Sequence, residues 1–205
     1  MQKPTLGNPQ NTIEVLQKYG FSFQKKFGQN FLIDTHVLDK IIASAGITKD
    51  DMVLEIGPGI GTMTQYLAEN AREVIAVEID KALIPILGDT LKEYDNVTIV
   101  NDDILKVDIN KIVEEKNNGQ AIKVVANLPY YITSPIITML LEEKLPIKAI
   151  TVMIQKEAAD RLSTPVGSRD SGAITVCTNY YAEVKHIFNV SRGSFMPPPN
   201  VDSTV

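Results

Sequence analysis

The residue types best suited to chemistry stand together at Asn127-Leu128-Pro129-Tyr130. They fall between the apolar run Ile122 to Ala126 and a helix-patterned segment opening at Pro135. An Asn side-chain oxygen accepts a hydrogen bond from an amino group, a proline stiffens the turn, and a Tyr ring offers a flat face to a planar base. Together they could hold an aromatic amine. Turns also favour Asn and Pro for backbone reasons, so the four residues alone fit a plain strand-to-turn junction equally well, and the decision falls to what surrounds them.

A second group lies upstream. The apolar stretch Met52 to Ile56 runs into Gly57-Pro58-Gly59-Ile60-Gly61, followed by a helical pattern from Thr62 to Asn70. Glycines at a strand-to-helix junction let the backbone approach a ligand closely, which suits a nucleotide-like cofactor. The next apolar strand, Val74 to Val77, ends at Glu78, 21 residues after Gly57, where a carboxylate can accept hydrogen bonds from ribose hydroxyls. A nicotinamide dinucleotide and S-adenosylmethionine both present such a ribose. The loop departs from GxGxxG at its sixth position, and Glu55 before it resembles the E/D-x-G-x-G-x-G loop of methyltransferases. Asp103, after the strand Val97 to Val100, could reach an adenine amino group or could simply cap its turn.

The elements that must carry these groups follow from periodicity. A short helix is expected over Asn11 to Lys18 with Asn11 as its cap, and another after Asp34 with Val37, Leu38, Ile41, Ile42 and Ala45 on one face and Gly46 at its end. A helix from about Lys81 to Lys92 follows Glu78. Past Pro135, taken as a first helical residue, come an amphipathic helix to Glu143, a fifth strand Ile147 to Ile154, and a polar helix Gln155 to Leu162. Residues 163–171 read as a surface loop, Gly172 to Tyr181 as a helix and Val184 to Val190 as a strand. Ser194-Phe195-Met196-Pro197-Pro198-Pro199 then forms an extended stretch, because consecutive prolines exclude helix and sheet interior. The alternation of strands and helices predicts an α/β, doubly wound, mostly parallel sheet.

Composition narrows the classes. At 205 residues and 44% hydrophobic content the chain is neither disordered nor fibrous. No run approaches the roughly 20 apolar residues of a membrane span, and the polar start resembles no signal peptide, so a cytoplasmic protein is expected. Cys177 lies in an apolar stretch and reads as a buried structural thiol. With His36 and His186 the only histidines, no metal site is expected. The net charge of −5 argues against nucleic acid, but 12 acids against 6 bases fall between Ala68 and Asn118, leaving the remainder at +1. Lys25, Lys26, Lys156, Arg161 and Arg169 are candidate phosphate contacts, or solvated surface.

Taken together, FGQNFL, LEIGPGIGTMT, VIAVEID, DDIL, VANLPYYITSPI, MIQKEAADRL and SFMPPPNVDSTV resemble the bacterial 16S rRNA adenine dimethyltransferase family, in order and along nearly the whole chain. The resemblance implies a Rossmann-like, class I S-adenosylmethionine-dependent methyltransferase that dimethylates the N6 amino groups of two adjacent adenosines near the 3′ end of 16S rRNA. It implies a cofactor site of Asn30, Leu32, Gly57, Gly59, Glu78, Asp103 and Asn127, with Glu78 on the ribose and Asp103 on the adenine. The catalytic loop would be Asn127, Leu128, Pro129 and Tyr130, with Tyr130 and Phe195 sandwiching a flipped adenine. Residues 1–46 would form an N-terminal, cofactor-covering segment and 47–205 the catalytic domain of a monomer, without the family's small C-terminal helical domain. Tyr131, and the order Thr133-Ser134, depart from the family pattern. The competing readings are a 23S rRNA adenine methyltransferase of the macrolide-resistance type, a nicotinamide dehydrogenase, and an RNA-binding ribosome assembly factor on the same fold.

Overall fold

The computed structural model describes residues 5–24 and 28–205. Lys25 and Lys26, two of the candidate phosphate contacts, lie outside the described residues. Strands β1 (Phe31–Leu32), β2 (Met52–Ile56), β3 (Glu73–Glu78), β4 (Val97–Asn101), β5 (Ile122–Asn127), β6 (Ile147–Gln155), β7 (Asn189–Val190), β8 (Phe195–Met196) and β9 (Ser203–Thr204) alternate with helices in the central part of the chain. The main sheet has the order β4-β3-β2-β5-β6-β9-β7. Its first five strands are parallel, and β9 pairs antiparallel with both β6 and β7. This is the expected doubly wound, mostly parallel sheet.

The chain moves outward from β2 to β3 and β4, then returns to lay β5 on the other side of β2. Ile56 faces Ala126 across that join, so the loops leaving β2 and β5 emerge side by side. A reversal of strand order opens a crevice at the carboxyl edge of a parallel sheet, where ligands bind. Both sequence motifs that could do chemistry empty into this one crevice.

Alternation along the strands sends side chains to two cores. Met52, Leu54, Ile56, Val124 and Ala126 pack with α5 (Ile109–Asn117) and α6 (Thr133–Glu142). Val53 and Val125 pack with α2 (Thr35–Ala45) and α3 (Thr62–Asn70) on the other face. A third cluster joins Leu6, Leu16 of α1 (Pro9–Lys18) and Phe31 to Ile60, Leu83 and Ile86. The N-terminal segment therefore seals against the glycine loop, and β1 is held by antiparallel pairing to β8.

Several boundaries differ from expectation. The cap of α1 is Asn8, which accepts from Asn11 N, because Pro9 fits the first turn where its missing N–H costs nothing. The stretch expected as one helix from Lys81 divides into a 3-10 turn, Lys81–Leu83, and α4 (Ile84–Thr90), with Pro85 at the start of α4. Helix α6 begins at Thr133, two residues before Pro135, with the Thr133 hydroxyl bonded to the Pro129 carbonyl. Helix α7 spans Lys156–Ser163, and α8 spans Ala173–Tyr181 as expected. The strand expected over Val184 to Val190 is assigned only over Asn189–Val190, which pairs with Thr204 and Ser203, while Ile187 and Phe188 bond to the Val205 main chain. Cys177 is half-buried rather than buried, with its Sγ 3.7 Å from Glu142 Oε1.

Candidate active site

The crevice is lined by the β1 segment, the glycine loop, the end of β3 and the loop after β5. Asn30, Leu32, Gly57, Gly59, Glu78, Asn127, Leu128, Pro129, Tyr130 and Phe195 all contribute to its wall. Asp103 does not. It closes its own turn instead, with Oδ1 accepting from Leu105 N at 3.1 Å and Oδ2 facing Lys106. Its charge nonetheless reaches the cleft, since Asp103 and Glu78 both help raise Tyr131 above the ordinary phenol range after burial, the largest cause.

The glycine loop owes its shape to left-handed backbone. Gly57 sits at φ 70 with no atom within 4 Å of where a Cβ would stand, so the backbone there borders open space. Gly59, at φ 62, has the Phe31 ring in that position, 2.9 Å away. Its N–H donates to Glu78 Oε2 at 3.2 Å. Glu78 Oε1 accepts from Asp80 N at 2.8 Å, so two main-chain donors fix this carboxyl. Burial pushes Glu78 up to about 7 against those two bonds, with the Asp80 charge adding to the rise.

Asn127 ends β5, and its Nδ2 donates to the carbonyl of Asn30 at 3.3 Å. Because only the nitrogen can pair with a carbonyl, Oδ1 is left as an acceptor without a partner among the described residues. Leu128 N donates to Met153 O at 3.0 Å, tying the loop after β5 to β6. The Tyr130 hydroxyl meets Ser203 Oγ at 3.0 Å. Phe195 is buried, opposite Leu32 in the β1–β8 pair, and forms the rear wall rather than an exposed blade.

Other residues at or behind the wall were given no site role from the sequence. Gln29 Nε2 donates to the buried Asp80 at 2.7 Å, and Gln24 also reaches that carboxylate. This network holds the segment before β1 beside Glu78. Tyr131, 57% exposed, packs over Gly28 at the lip. Glu55, Thr62, Met63, Ile79 and Leu83 complete the wall. Lys156 and Arg161 of α7 pair with Asp160 and Glu157 on their own helix, while Arg169 is exposed on the following loop. Among the described residues no cluster suited to a metal ion occurs, and no helix is long and apolar enough to cross a membrane.

This arrangement fits a cofactor with a ribose and an amino-acid tail: open backbone at Gly57, a braced carboxyl at Glu78, and the N-terminus of α3 behind the loop for a carboxylate. The comparisons agree. The family model of ribosomal RNA adenine dimethylase matches residues 20–205. A protein named ribosomal RNA small subunit methyltransferase A from Lachnoclostridium phytofermentans is 69% identical over 201 residues, covering 98% of this chain and 69% of that relative. The protein of the same name from Clostridioides difficile is 52% identical, covering 95% of this chain and 67% of its own length. Among solved structures, a dimethyladenosine transferase from Plasmodium falciparum superposes with a TM-score of 0.73 at 33% identity, over 85% of this chain and 61% of that one. The 23S rRNA methyltransferase ErmE gives 0.73 and 33% as well, over 85% of this chain and 67% of its own.

Proposed function

Because the chain belongs to the ribosomal RNA adenine dimethylase family, we propose that it dimethylates the N6 amino groups of two adjacent adenosines near the 3′ end of 16S rRNA during small-subunit biogenesis. The enzyme class and the cofactor, S-adenosylmethionine, follow from the family. The fold does not choose between small-subunit and 23S substrates, since both solved relatives superpose equally well. The small-subunit assignment is supported by relatives at 50–69% identity that carry that name over almost the whole chain. A cytoplasmic monomer is the form proposed. Residues 1–46 form the segment that covers the cofactor, and residues 47–205 the catalytic unit.

When bound, S-adenosylmethionine supplies an activated methyl group on a sulfonium whose thioether is a good leaving group. Glu78 would hold the ribose, and Gly57, Gly59, Asn30 and Leu32 the rest of the cofactor. Asp103 keeps its proposed adenine contact from just outside the cleft wall. What remains for the protein is to prepare a poor nucleophile, because an adenine amino nitrogen shares its lone pair with the ring. Asn127 Oδ1 and the Leu128 carbonyl accept the two amino hydrogens, which favours a pyramidal nitrogen with its lone pair aimed across the cleft. Tyr130 stacks on the base, Pro129 keeps the loop rigid and Phe195 backs it. No strong base is required, since the proton can leave to water after methylation. Acceleration comes mainly from positioning and electrostatics.

The observation that supports this reading is the pairing of Asn127 Nδ2 with the Asn30 carbonyl at the cleft wall, which leaves the acceptor Oδ1 without a partner among the described residues. The test is to incubate the protein with labelled S-adenosylmethionine and undermethylated small ribosomal subunits, then map the label. Label on two neighbouring adenosines near the 3′ end of 16S rRNA is expected. Label appearing instead in 23S rRNA would move the assignment to the resistance type.

A further inference from the structure

Glu55 is fully buried in the middle of the sheet, yet it lines the cofactor cleft. Among the described residues neither of its carboxyl oxygens has a hydrogen-bond partner, and the same holds for the hydroxyls of Thr62 and Thr64 on α3. Buried polar atoms are nearly always paired, and an orphaned carboxyl is among the costlier exceptions. Glu55 and Thr62 line the cleft, with Thr64 behind Glu55, and together they make a polar patch that addresses something arriving from the cleft. The glycine loop begins two residues further along the same strand.

Among the described residues the surroundings of Glu55 offer it no counter-charge. Strand β3 contributes Glu78, a like charge, and α3 contributes the Thr64 hydroxyl, which lies outside strict hydrogen-bond geometry but close enough to favour the charged form, the one polar neighbour to do so among the described residues. The other elements on this face of the sheet present apolar side chains: Leu32 of β1, Leu38 of α2, Met63 of α3, Val125 of β5 and Phe195 of β8. Burial is the main cause that pushes Glu55 up to about 8.

We propose that Glu55 is the counter-charge for the cofactor's cationic end and is loaded by proton release: neutral in the free enzyme, it ionises as the methyl donor settles over the Gly57–Gly59 loop. This rests on the reading of the cleft as the S-adenosylmethionine site. The carboxyl O–H bond breaks, the proton passes to solvent, and the carboxylate left behind is held against the incoming cation; no covalent bond to the cofactor forms. Glu78 has a different task, because its oxygens are already braced by main-chain donors and face neutral hydroxyls. Glu55 thus makes the cleft select for positive charge while keeping the free enzyme from burying an unpaired negative one.

Calorimetric titration with S-adenosylmethionine and with S-adenosylhomocysteine tests this in two buffers of different ionisation enthalpy. At about pH 6.5 the amino group of either ligand, ordinarily near 8, is already charged. The wild-type protein is expected to release close to one proton per bound ligand, and its affinity to rise by up to about tenfold per pH unit until it levels near pH 8. Release with both ligands assigns the ammonium as the cation, and release with the sulfonium alone assigns the sulfur. Glu55→Gln should abolish the release, whereas Glu78→Gln should retain it. Equal enthalpies in both buffers for wild type, or undiminished release by Glu55→Gln, would overturn the proposal. Should Glu55→Gln not fold, the infrared difference spectrum of wild type decides: a protonated carboxyl band must disappear on binding, and its persistence refutes the idea. Failure of both ligands to bind wild type at all is a separate result that removes the reading of the cleft itself.

Discussion

Asn127 donates its side-chain amide to the main-chain carbonyl of Asn30 across 97 residues of sequence, at 3.3 Å. One contact thereby joins the loop after β5, proposed as catalytic, to the segment leading into β1, proposed as the cofactor's cover, and it commits the nitrogen of the Asn127 amide. The cover and the catalytic loop set each other's positions, so damage at Asn127 should be felt by chemistry before it is felt by binding.

Asn127→Ala removes the acceptor and the tether together. Methyl transfer to small-subunit RNA should fall by about 10²–10³-fold, the size of a lost positioned hydrogen-bonding group. The dissociation constant of S-adenosylhomocysteine should change by less than about tenfold. Single-turnover methylation and calorimetry measure the two, and a variant that turns over at the wild-type rate refutes the role.

Gly57 and Gly59 separate backbone strain from collision. Both have positive φ, but only at Gly59 would a new Cβ strike the Phe31 ring. Gly57→Ala should cost about 1 kcal/mol of stability from backbone conformation alone, while its methyl enters space proposed for the cofactor. Gly59→Ala should cost about 1–3 kcal/mol more by displacing the aromatic wall. Chemical denaturation and cofactor titration of the pair decide it: Gly57→Ala should lose binding out of proportion to stability, and Gly59→Ala should lose both.

How much of this was readable in advance depends on the range of the interactions. The glycine loop, Glu78 and the Asn127 loop were legible because each is announced locally, by backbone demands or by position at a strand end. Asn30 to Asn127 and Gln29 to Asp80 were not, since hydrogen bonds between distant segments leave no spacing to read. The short β7 shows the same limit: Val184 to Val190 has strand-forming residues, but which of them pair depends on the approach of a segment that local pattern does not reveal. Glu55 is a different case, because its type was read as part of a loop pattern while its lack of a counter-charge among the described residues is a property of the packed site.

Tyr130 tests whether the ring or the hydroxyl matters. Tyr130→Phe loses the bond to Ser203, about 1 kcal/mol of loop anchoring, and should retain methylation within about tenfold. Tyr130→Ala loses the stacking face, about 1–3 kcal/mol, and should raise the RNA concentration needed for half-maximal rate. Equal losses in the two variants would shift the role to the hydroxyl.

The opposite edge of the sheet holds a charge cluster that should affect stability without affecting the cleft. Asp51, almost fully buried before β2, pairs with Lys123 at 2.8 Å and with Lys148, and accepts from Thr48 N at 2.8 Å. Burial alone would raise this carboxyl, but the two lysines and Thr48 outweigh it and hold it well below the usual range. A depressed folded value means the contribution is full above the unfolded value of 3.8 and disappears as pH falls through the folded one. Asp51→Asn should therefore destabilise by about 2 kcal/mol at pH 7, less than a fully buried pair because Lys148 is half-exposed. Denaturation curves should begin to approach wild type only below about pH 4 and meet it once pH falls through the depressed folded value, and cofactor affinity should not change.

Glu55 works in the opposite direction on the alkaline side. Its folded value of about 8 lies above its unfolded value of 4.5, so between those limits the folded chain binds the extra proton and stability falls as pH rises. The mismatch is largest above pH 8, where a buried, unpaired carboxylate must be kept in the fold. Glu55→Gln removes the charge while nearly preserving shape, and should stabilise the free protein by at least ~1 kcal/mol at pH 8.5 with little effect near pH 4.5. Bound cofactor should cancel the gain, because the wild-type carboxylate then has its cation. Denaturation at the two pH values, with and without S-adenosylhomocysteine, measures each part; a variant less stable than wild type at pH 8.5 without ligand would mean that Glu55 already has a partner in the free protein.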